Sequence, residues 1–182
     1  MTAADELVEV VDEAGTVMRL ATRAEVRAGN LRHRSVAVVV VTGAGDLVAH
    51  RRADWKDVWP GRWDVCFGGV AAVGEDWATA ARRELREEAG VEVPASALRL
   101  LGSGSYEDGS VSWLGPIFAV THDGPFRAAD GEVAELVLVP LAGLDAWLAG
   151  RELCADSAAV VVPRLRSLAR GDSPETPTDA RG

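Results

Sequence analysis

The sequence is poor in the features that would mark it as a secreted, zinc-binding or membrane protein. Its two cysteines, Cys66 and Cys154, form no CxxC pair, and its three histidines do not cluster. We therefore expect neither a disulfide framework nor a zinc site. Such cysteine usage fits a reducing compartment, so a cytoplasmic location is expected. The longest aliphatic runs, near residues 36–41 and 158–162, are too short to cross a bilayer. The first residues lack the basic and apolar regions of a signal peptide, so neither export nor membrane anchoring is predicted.

Positive charge is also scarce, and arginine carries almost all of it. The sequence has 19 Lys and Arg residues against 28 Asp and Glu residues, a net charge of −9, and its one lysine is Lys56. A protein that neutralises many phosphates needs a basic surface, so no nucleic-acid partner is expected. Residues 14–68 nevertheless hold nine basic and five acidic groups. That local excess is compatible with a small anionic substrate.

What the chain does have is the composition of one globular domain. It has 182 residues, of which 48% are hydrophobic and 26% charged, a length and balance that suit a single core. We divide it into an N-terminal hairpin and helix extension (1–30), a main domain (31–169) and a tail (170–182). The tail contains Gly, Pro, Ser and Thr but almost no apolar residues, so it is predicted to be disordered.

Hydrophobic patterning predicts an α/β chain with mixed strands and helices. The predicted strands are residues 7–11, 16–20, 35–42, 46–51, 97–106, 111–121 and 132–139, and the predicted helices are residues 22–28, 76–89, 141–148 and 157–169. The helix at 76–89 contains no Gly or Pro and stops before Gly90. Residues 51–62 carry charges and the pair Pro60-Gly61, which predicts a surface loop. Loops of this kind often bind ligands.

The helix at 76–89 separates its residues by chemistry. On a wheel of about 100° per residue, the arc predicted to face the core contains Trp77, Ala78, Ala81, Leu85 and Ala89. Glu84, Glu87 and Glu88 occupy the adjoining arc, and the far side holds Arg82, Arg83 and Arg86. Three carboxylates within one turn repel each other. A cation is therefore expected beside them, and Mg²⁺ or Mn²⁺ prefers such oxygen ligands.

These glutamates belong to a longer spacing. Its fixed positions are Gly69, Glu75, Arg83, Glu84, Leu85, Glu87, Glu88, Gly90 and Val91. An Arg/Glu-rich helix is usually only a solvated face, but this spacing resembles the Nudix box, the loop-helix-loop motif of the Nudix hydrolase family. The resemblance implies a Nudix fold, an α/β fold with a mixed β-sheet sandwiched between helices. It also implies hydrolysis of a diphosphate bond in a nucleoside diphosphate linked to another group.

The resemblance further implies roles for individual residues. The implied ligands of a catalytic Mg²⁺, or Mn²⁺, are Glu84, Glu87, Glu88 and the carbonyl of Gly69. Arg83 is implied to pair with Glu75 and to brace the loop against the helix, so that the ligands keep their geometry. In the family's reaction water attacks phosphorus, and metal ions orient that water and offset developing charge.

The general base of the reaction has two candidate sources. Members of the family take it either from the box helix, here Glu84 or Glu87, or from a later segment, here Glu132 or Glu135. We favour the helix and count Glu87, Glu84, Arg83 and Glu75 as the catalytic set. For Glu132 and Glu135, an ordinary charge pair at a sheet edge is an equally good interpretation.

Upstream of the box, a second resemblance narrows the subgroup. Leu31-Arg32-His33, Arg51-Arg52-Ala53, Lys56 and Trp59 to Trp63 look like segments of isopentenyl-diphosphate isomerase, a Nudix-fold enzyme. This implies that basic residues grip a substrate diphosphate, a task for which arginine and lysine are suited. The candidates for substrate binding are Arg51, Arg52, Lys56 and His33. The alternative is that the loop charges are solvated and His33 is structural.

The isomerase also needs a cysteine five residues after Trp63, and this sequence has Gly68 there. Cys66 is two residues away, roughly 7 Å along a strand, so we expect it to be a buried small residue. We therefore predict a Mg²⁺-dependent hydrolase of a small organic diphosphate. Isomerisation of an allylic diphosphate and a non-catalytic nucleotide sensor are the alternatives. The sequence leaves open which diphosphate is bound and whether the chain forms a homodimer.

Overall fold

The computed structural model describes residues 3–128 and 131–172. Within them nine strands form one sheet. The strands are β1 (Leu7–Val11), β2 (Val17–Thr22), β3 (His33–Val41), β4 (Asp46–Arg52), β5 (Trp63–Asp64), β6 (Phe67–Val70), β7 (Arg99–Glu107), β8 (Ser112–Thr121) and β9 (Val133–Pro140). The helices are α1 (Arg23–Gly29), α2 (Trp77–Glu84), α3 (Leu144–Leu148) and α4 (Val162–Arg170), with a π-helical turn Leu85–Ala89 after α2 and another, Ser157–Val161, before α4. Short 3₁₀ turns cover Ala3–Asp5, Ala95–Ala97 and Leu141–Gly143.

Strand β3 lies at the centre of the sheet. It runs parallel to β8, from the pair His33–Trp113 to the pair Val41–Thr121, and antiparallel to β6. Strand β4 pairs antiparallel with β9 and β5, and β7 pairs antiparallel with β8. The N-terminal hairpin β1–β2 joins the sheet through β1, beside β3. Because β3 and β8 are parallel and the other pairs antiparallel, the sheet is mixed.

The valine run of β3 explains why helices cover both faces of this sheet. Side chains alternate along a strand, so Val36, Val38 and Val40 enter one core while Ala37 and Val39 enter the other. Helix α2 packs on the first face and helices α3 and α4 on the second. A strand buried on both faces is continuously apolar, as residues 36–41 of β3 are. The predicted mixed sheet between helices is confirmed.

The structure differs from the predicted elements in four places, one of which is the helix predicted over 157–169, whose first turn, Ser157–Val161, is π-helical. Residues 63–70 hold two short strands, β5 and β6, that the sequence did not separate. The helix predicted over 76–89 ends in a π-helical turn, and the one predicted over 141–148 begins as a 3₁₀ turn. Of the predicted tail, residues 173–182 lie outside the described part of the chain. Among the described helices, none combines the length and apolarity that crossing a bilayer requires.

Candidate active site

The site is built around the helix that carries the glutamates. Asp76 caps its first turn by accepting a hydrogen bond from the Thr79 backbone N–H at 3.0 Å, and Gly90 ends it with a left-handed φ of 67°. Glu87 and Glu88 lie in the π-helical turn between these ends. Such turns are frequent at functional sites because the extra residue re-aims the side chains.

The helical wheel predicted the burial of most, but not all, of the side chains of this helix correctly. Ala81, Leu85 and Ala89 are fully buried as expected, whereas Ala78 is half-buried and Ala80 takes its place in the core. The expectation that Arg83 faces away from the glutamates is wrong. Its guanidinium lies among them, because a long side chain can reach back over the helix edge toward an acidic loop.

Arg83 holds the loop that precedes the helix. It makes a bidentate pair with Glu75, with Nε–Oε1 at 3.1 Å and Nη2–Oε2 at 3.0 Å, and it donates to the Val70 carbonyl oxygen at 3.0 Å. Glu75 also accepts from the Ala72 backbone N–H at 2.9 Å. The hydrogen bonds from Arg83 hold the pKa of Glu75 below its ordinary value. The contact that the sequence implied is therefore present, and it ties both ends of the loop to the helix.

Two glycines let the glutamates approach the backbone of β6. A Cβ on Gly69 would stand 2.8 Å from Oε1 of Glu84, so only glycine leaves room for that carboxylate. The Gly68 backbone N–H donates to Oε2 of Glu88 at 2.9 Å. The Gly69 carbonyl oxygen accepts from the Ser35 hydroxyl at 2.7 Å, which fixes its direction. We call Gly69, Glu84, Glu87 and Glu88 the acidic wall.

The acidic wall borders a cavity of about 460 Å³. Besides Arg83, four cations line the same cavity, and we call these four the basic wall: Arg23, Arg27, Arg52 and Lys56. His33 and Glu132 line it too. Among the described lining residues, Arg51 and Glu135 are absent; Arg51 instead pairs with Asp54 at 3.0 Å and with Glu135 at 3.7 Å. Adjacent residues of a strand face opposite sides, so Arg52 faces the cavity and Arg51 does not.

Burial makes the carboxylates of the acidic wall costly to ionise. Glu88 is 5% exposed and Glu84 8%. Burial raises the pKa of Glu88 well above its ordinary value, and the charge of Glu84 adds to this effect. Burial also raises the pKa of Glu84, although Arg83 opposes the change. Arg83 acts on Glu84 and Arg52 on Glu88, yet the pKa of both carboxylates stays raised, so a further cation beside them would be stabilising.

The basic wall is held by weaker contacts. Lys56 pairs with Glu132, and Arg52 donates from Nε to the Val58 carbonyl oxygen at 3.2 Å. Burial alone would lower the pKa of Arg52. The carboxylates of Asp64 and Glu88 outweigh that effect, so the pKa of Arg52 is raised. His33 is buried beside the cavity with Nδ1 3.0 Å from the Leu31 carbonyl oxygen, and burial lowers its pKa. A neutral histidine suits this position.

Comparison with known proteins decides the family. A model of the NUDIX domain matches residues 31–156, well over half of the chain. The chain belongs to the Nudix family. Over 167 residues it is 33% identical to the uncharacterized Nudix hydrolase YfcD of Escherichia coli K12, covering 92% of this chain and 87% of that one. The protein is a hydrolase of this family.

Solved structures agree with the fold. DR0079 from Deinococcus radiodurans superposes with a TM-score of 0.68 at 25% identity, over 87% of this chain and 98% of that one. The NUDIX domain of Shewanella oneidensis NrtR, complexed with ADP ribose, gives a TM-score of 0.60 at 17% identity, over 81% of this chain and 99% of that one. At that identity the second likeness concerns the fold alone.

The donor set of this Nudix site fits a hard divalent cation, since it consists of carboxylates and one carbonyl. It is not preassembled: among residues 3–128 and 131–172, no three carboxylate, imidazole or thiol groups stand close enough to form a metal site. The reason is Arg83, whose Nη1 contacts Glu84 at 2.6 Å and Glu87 at 3.3 Å. Metal binding would require these two glutamates to exchange a contact with Arg83 for one with the ion.

Sequence reasoning missed a second group of polar residues in the cavity. Ser157 donates its hydroxyl to Asp64 at 2.5 Å and its backbone N–H to Asp156 at 2.6 Å, while Trp113 Nε1 donates to Asp156 at 3.0 Å. All four residues line the cavity. They come from three separated segments that share no motif. Arg23 and Arg27 were missed as well, although their spacing of four on a short helix could have indicated one basic face.

Proposed function

We propose that this Nudix protein hydrolyses a diphosphate bond in a small organic molecule, a nucleoside diphosphate linked to another group, with Mg²⁺ or Mn²⁺. One observation carries the proposal: a single cavity is bordered by the acidic wall on the box segment and by Arg52 and Lys56 of the basic wall. A diphosphate bound to a divalent cation has this complementary charge pattern. Nudix hydrolases generally use divalent cations.

In this proposal each wall has its own task. Arg52 and Lys56 bind phosphate oxygens, Arg52 with its planar fork and Lys56 as a point charge. Glu84, Glu87, Glu88 and the Gly69 carbonyl hold the cation. When bound, the cation would lower the pKa of a coordinated water and offset charge on the phosphoryl oxygens. Arg83 and Glu75 position these groups by fixing the loop to the helix.

The base that receives a proton from water is assigned to the box helix. Glu84 and Glu87 both line the cavity, Glu84 as the buried member of the pair and Glu87 as its half-exposed neighbour. Of the two later candidates, Glu132 lines the cavity beside Lys56 and Glu135 faces Arg51. Glu132 is therefore the better alternative to the helix.

Position 68 argues against isomerase chemistry. A Cβ on Gly68 would overlap the carbonyl oxygen of Val36, so this backbone has no room for the cysteine that the isomerase needs there. Cys66 is buried with its Sγ 3.5 Å from Asp64, and burial raises the pKa of its thiol well above the ordinary value. A thiol in that setting is a poor nucleophile. A purely sensing role is disfavoured because all three box glutamates are present.

The choice of a nucleoside-type substrate draws support from the ADP ribose complex of the NrtR NUDIX domain. That molecule is a nucleoside diphosphate joined to a second sugar, the general class proposed here. The absence of a nucleic-acid partner, a cytoplasmic location and the domain boundaries at residues 30 and 169 stay predictions, and so does any homodimer.

A release assay over four substrate classes tests the proposal. Nucleotide sugars, dinucleoside polyphosphates, coenzymes and prenyl diphosphates are each incubated with Mg²⁺, with Mn²⁺ and with EDTA, and the hydrolysis products are separated from the substrate by chromatography and quantified. We expect turnover of at least one nucleotide class that EDTA abolishes. Isopentenyl diphosphate in deuterated water is included. Deuterium uptake without phosphate release, and no hydrolysis elsewhere, would replace hydrolysis by isomerisation.

A further inference from the structure

The N-terminal helix α1 borders the cavity although it lies outside the matched NUDIX domain. Arg23 and Arg27, one turn apart on α1, are lining residues, whereas the NUDIX match begins at residue 31. We propose that Arg27 is a specificity-determining residue that contacts phosphate oxygens of the substrate diphosphate. The inference rests on the proposed function, because it concerns the same cavity and the same substrate class.

Helix α1 is fixed well enough to present a binding group. Thr22 accepts from the Glu25 backbone N–H at 3.2 Å, and Glu25 accepts from the Thr22 backbone N–H at 2.8 Å, which together form a capping box. Val26 is buried in a small core of its own, with Val70 of the box segment packed against it. Through this small core, which also contains Val8 and Ala21, the fold holds α1 near the strand that carries Gly69.

The extension also contacts the box loop at a second point. Glu9 on β1 pairs with Arg34 at 2.5 Å and accepts from the Gly74 backbone N–H at 3.1 Å, and Arg34 donates to the Glu75 carbonyl oxygen at 3.0 Å. These bonds set the position of the extension relative to Glu75, the partner of Arg83. A group on α1 is thus placed relative to the acidic wall by the fold itself.

The ion pair of Arg27 is of the kind that a ligand can replace. Arg27 Nε lies 3.1 Å from Asp57, and the exposed fraction is 29% for the arginine side chain against 60% for the aspartate. Lys56 shows the same arrangement, 10% exposed against 33% for Glu132. In both pairs the cation is the more buried member. Asp57 is largely open to water, which weakens its attraction for Arg27, so a phosphate can take its place beside the guanidinium.

Two further cations act on Arg27: Arg52, and Arg23, which pairs with Glu6 at 3.3 Å. Burial lowers the pKa of the Arg27 guanidinium, Asp57 opposes that change, and the like charges of Arg23 and Arg52 add to it. The charges of Arg27 and Arg23 also contribute to the lowered pKa of His33. Neighbouring cations that destabilise each other gain from an anion placed between them. A diphosphate carries several negative charges and forms bidentate bonds with arginine.

Titration calorimetry with methylenediphosphonate, a diphosphate analogue that is not hydrolysed, tests the inference on the full chain with Mg²⁺. We expect Arg27→Gln to weaken binding by about tenfold, the size of one charge-assisted hydrogen bond. Arg27→Lys, which keeps the charge, should stay within about threefold of the wild type. The matched control is Arg19→Gln, an exposed arginine of the same extension, and it should stay within about twofold. Thermal melting confirms that each variant folds.

The variant Asp57→Asn distinguishes phosphate binding by Arg27 from a purely structural role of Arg27. Removing the competing carboxylate should tighten binding about two- to fivefold, and only where Arg27 is present. Equal affinities of Arg27→Gln and Arg19→Gln would overturn the inference. So would an Asp57→Asn effect that persists in the Arg27→Gln background. The wild-type titration is repeated in EDTA to separate the role of Arg27 from the proposed metal-dependent function. If the affinity for methylenediphosphonate is the same with Mg²⁺ and with EDTA, the proposed function is contradicted, whereas the role of Arg27 is not.

Discussion

The acidic and basic walls of the cavity are built in opposite ways. The acidic wall comes from one continuous segment, residues 69–90, and Arg83 ties it together through Glu75, Val70, Glu84 and Glu87. The basic wall comes from three places: α1, the end of β4 and the loop that follows it. Two of its cations, Arg27 and Lys56, form ion pairs with carboxylates that are more exposed than the cations are.

This difference separates two requirements of the proposed reaction. Groups that hold a metal must keep their geometry to a fraction of an ångström, which favours a braced and compact segment. Groups that choose a substrate need only present charge around it, and they can exchange partners when it arrives. We therefore expect changes in the acidic wall to affect turnover, and changes in the basic wall to affect substrate binding.

The largest expected effect belongs to Glu88. Glu88→Gln keeps the shape of the side chain and an oxygen that can accept from the Gly68 N–H, but it removes a charge proposed to bind the cation. Turnover should fall by about a hundredfold or more. Steady-state kinetics on the substrate found in the release assay measures this. The control is Glu92→Gln, a glutamate just past the helix and outside the cavity lining described for 3–128 and 131–172; an equal loss there would contradict the assignment.

A smaller loss of turnover is expected when the contacts of Arg83 with Glu75 and Val70 are weakened. Arg83→Lys cannot reproduce the bidentate pair with Glu75 and the bond to Val70 together, since lysine has one nitrogen. We expect turnover to drop about ten- to a hundredfold, with the affinity for substrate changed less. Arg82→Lys is the matched control, because that arginine precedes Arg83 on the same helix and donates to the Val93 carbonyl oxygen at 2.7 Å, not to the box loop. If both variants behaved alike, bracing by Arg83 would have no part in catalysis.

Variants of Arg51 and Arg52, the two arginines at the end of β4, are expected to separate effects on substrate binding from effects on turnover. Arg52→Gln should raise KM about tenfold and leave kcat within a few-fold, the pattern of a lost ground-state contact. Arg51→Gln, on the opposite side of the strand, should leave both constants within about twofold. Melting curves for the two variants control for the contribution of Arg52 to the fold. An equal rise in KM for both would mean that the cavity lining does not define the substrate site.

The prediction for Asp156 concerns stability and not turnover. Burial and the charge of Asp64 raise its pKa to about 7, above the ordinary value of about 3.9 in an unfolded chain. The folded state therefore favours the protonated form, and this contribution is lost as the pH rises from about 4 to about 7.

Asp156→Asn removes that titration. Relative to the wild type, its free energy of unfolding should improve by about 1–3 kcal/mol between pH 4 and pH 7. Urea unfolding at both pH values measures this, and the exposed Asp145 supplies the control variant Asp145→Asn. An identical pH dependence for Asp156→Asn and the wild type would show that Asp156 is not a buried carboxylate of this kind.

The sequence could predict the acidic wall because its residues are close along the chain. The spacing from Gly69 to Gly90 and the apolar arc of the helix lie in one window, so local geometry is enough. The strands were placed to within a few residues for a similar reason, as in β3, where the valine run is continuous. The π-helical turn was not predictable from a regular wheel, and it decides how Glu87 and Glu88 point.

The basic wall and the polar cluster around Ser157 were not predictable in the same way. Which of Arg51 and Arg52 faces the cavity depends on how β4 pairs with β9 and β5. Arg27 enters the cavity only because β1 joins the sheet beside β3. Asp64 and Asp156 meet through Ser157 although 91 residues lie between them in the sequence. Contacts set by tertiary pairing leave no periodic pattern in the chain.

The central claim is that the acidic wall binds a divalent cation. Electron paramagnetic resonance of Mn²⁺ tests it directly, because the free aqueous ion gives a signal that diminishes on binding. For the wild type we expect saturable binding that Mg²⁺ competes away, and for Glu88→Gln and Glu84→Gln an affinity lower by about tenfold or more. The result that would contradict the account is Mn²⁺ binding of equal strength in the wild type and in both variants.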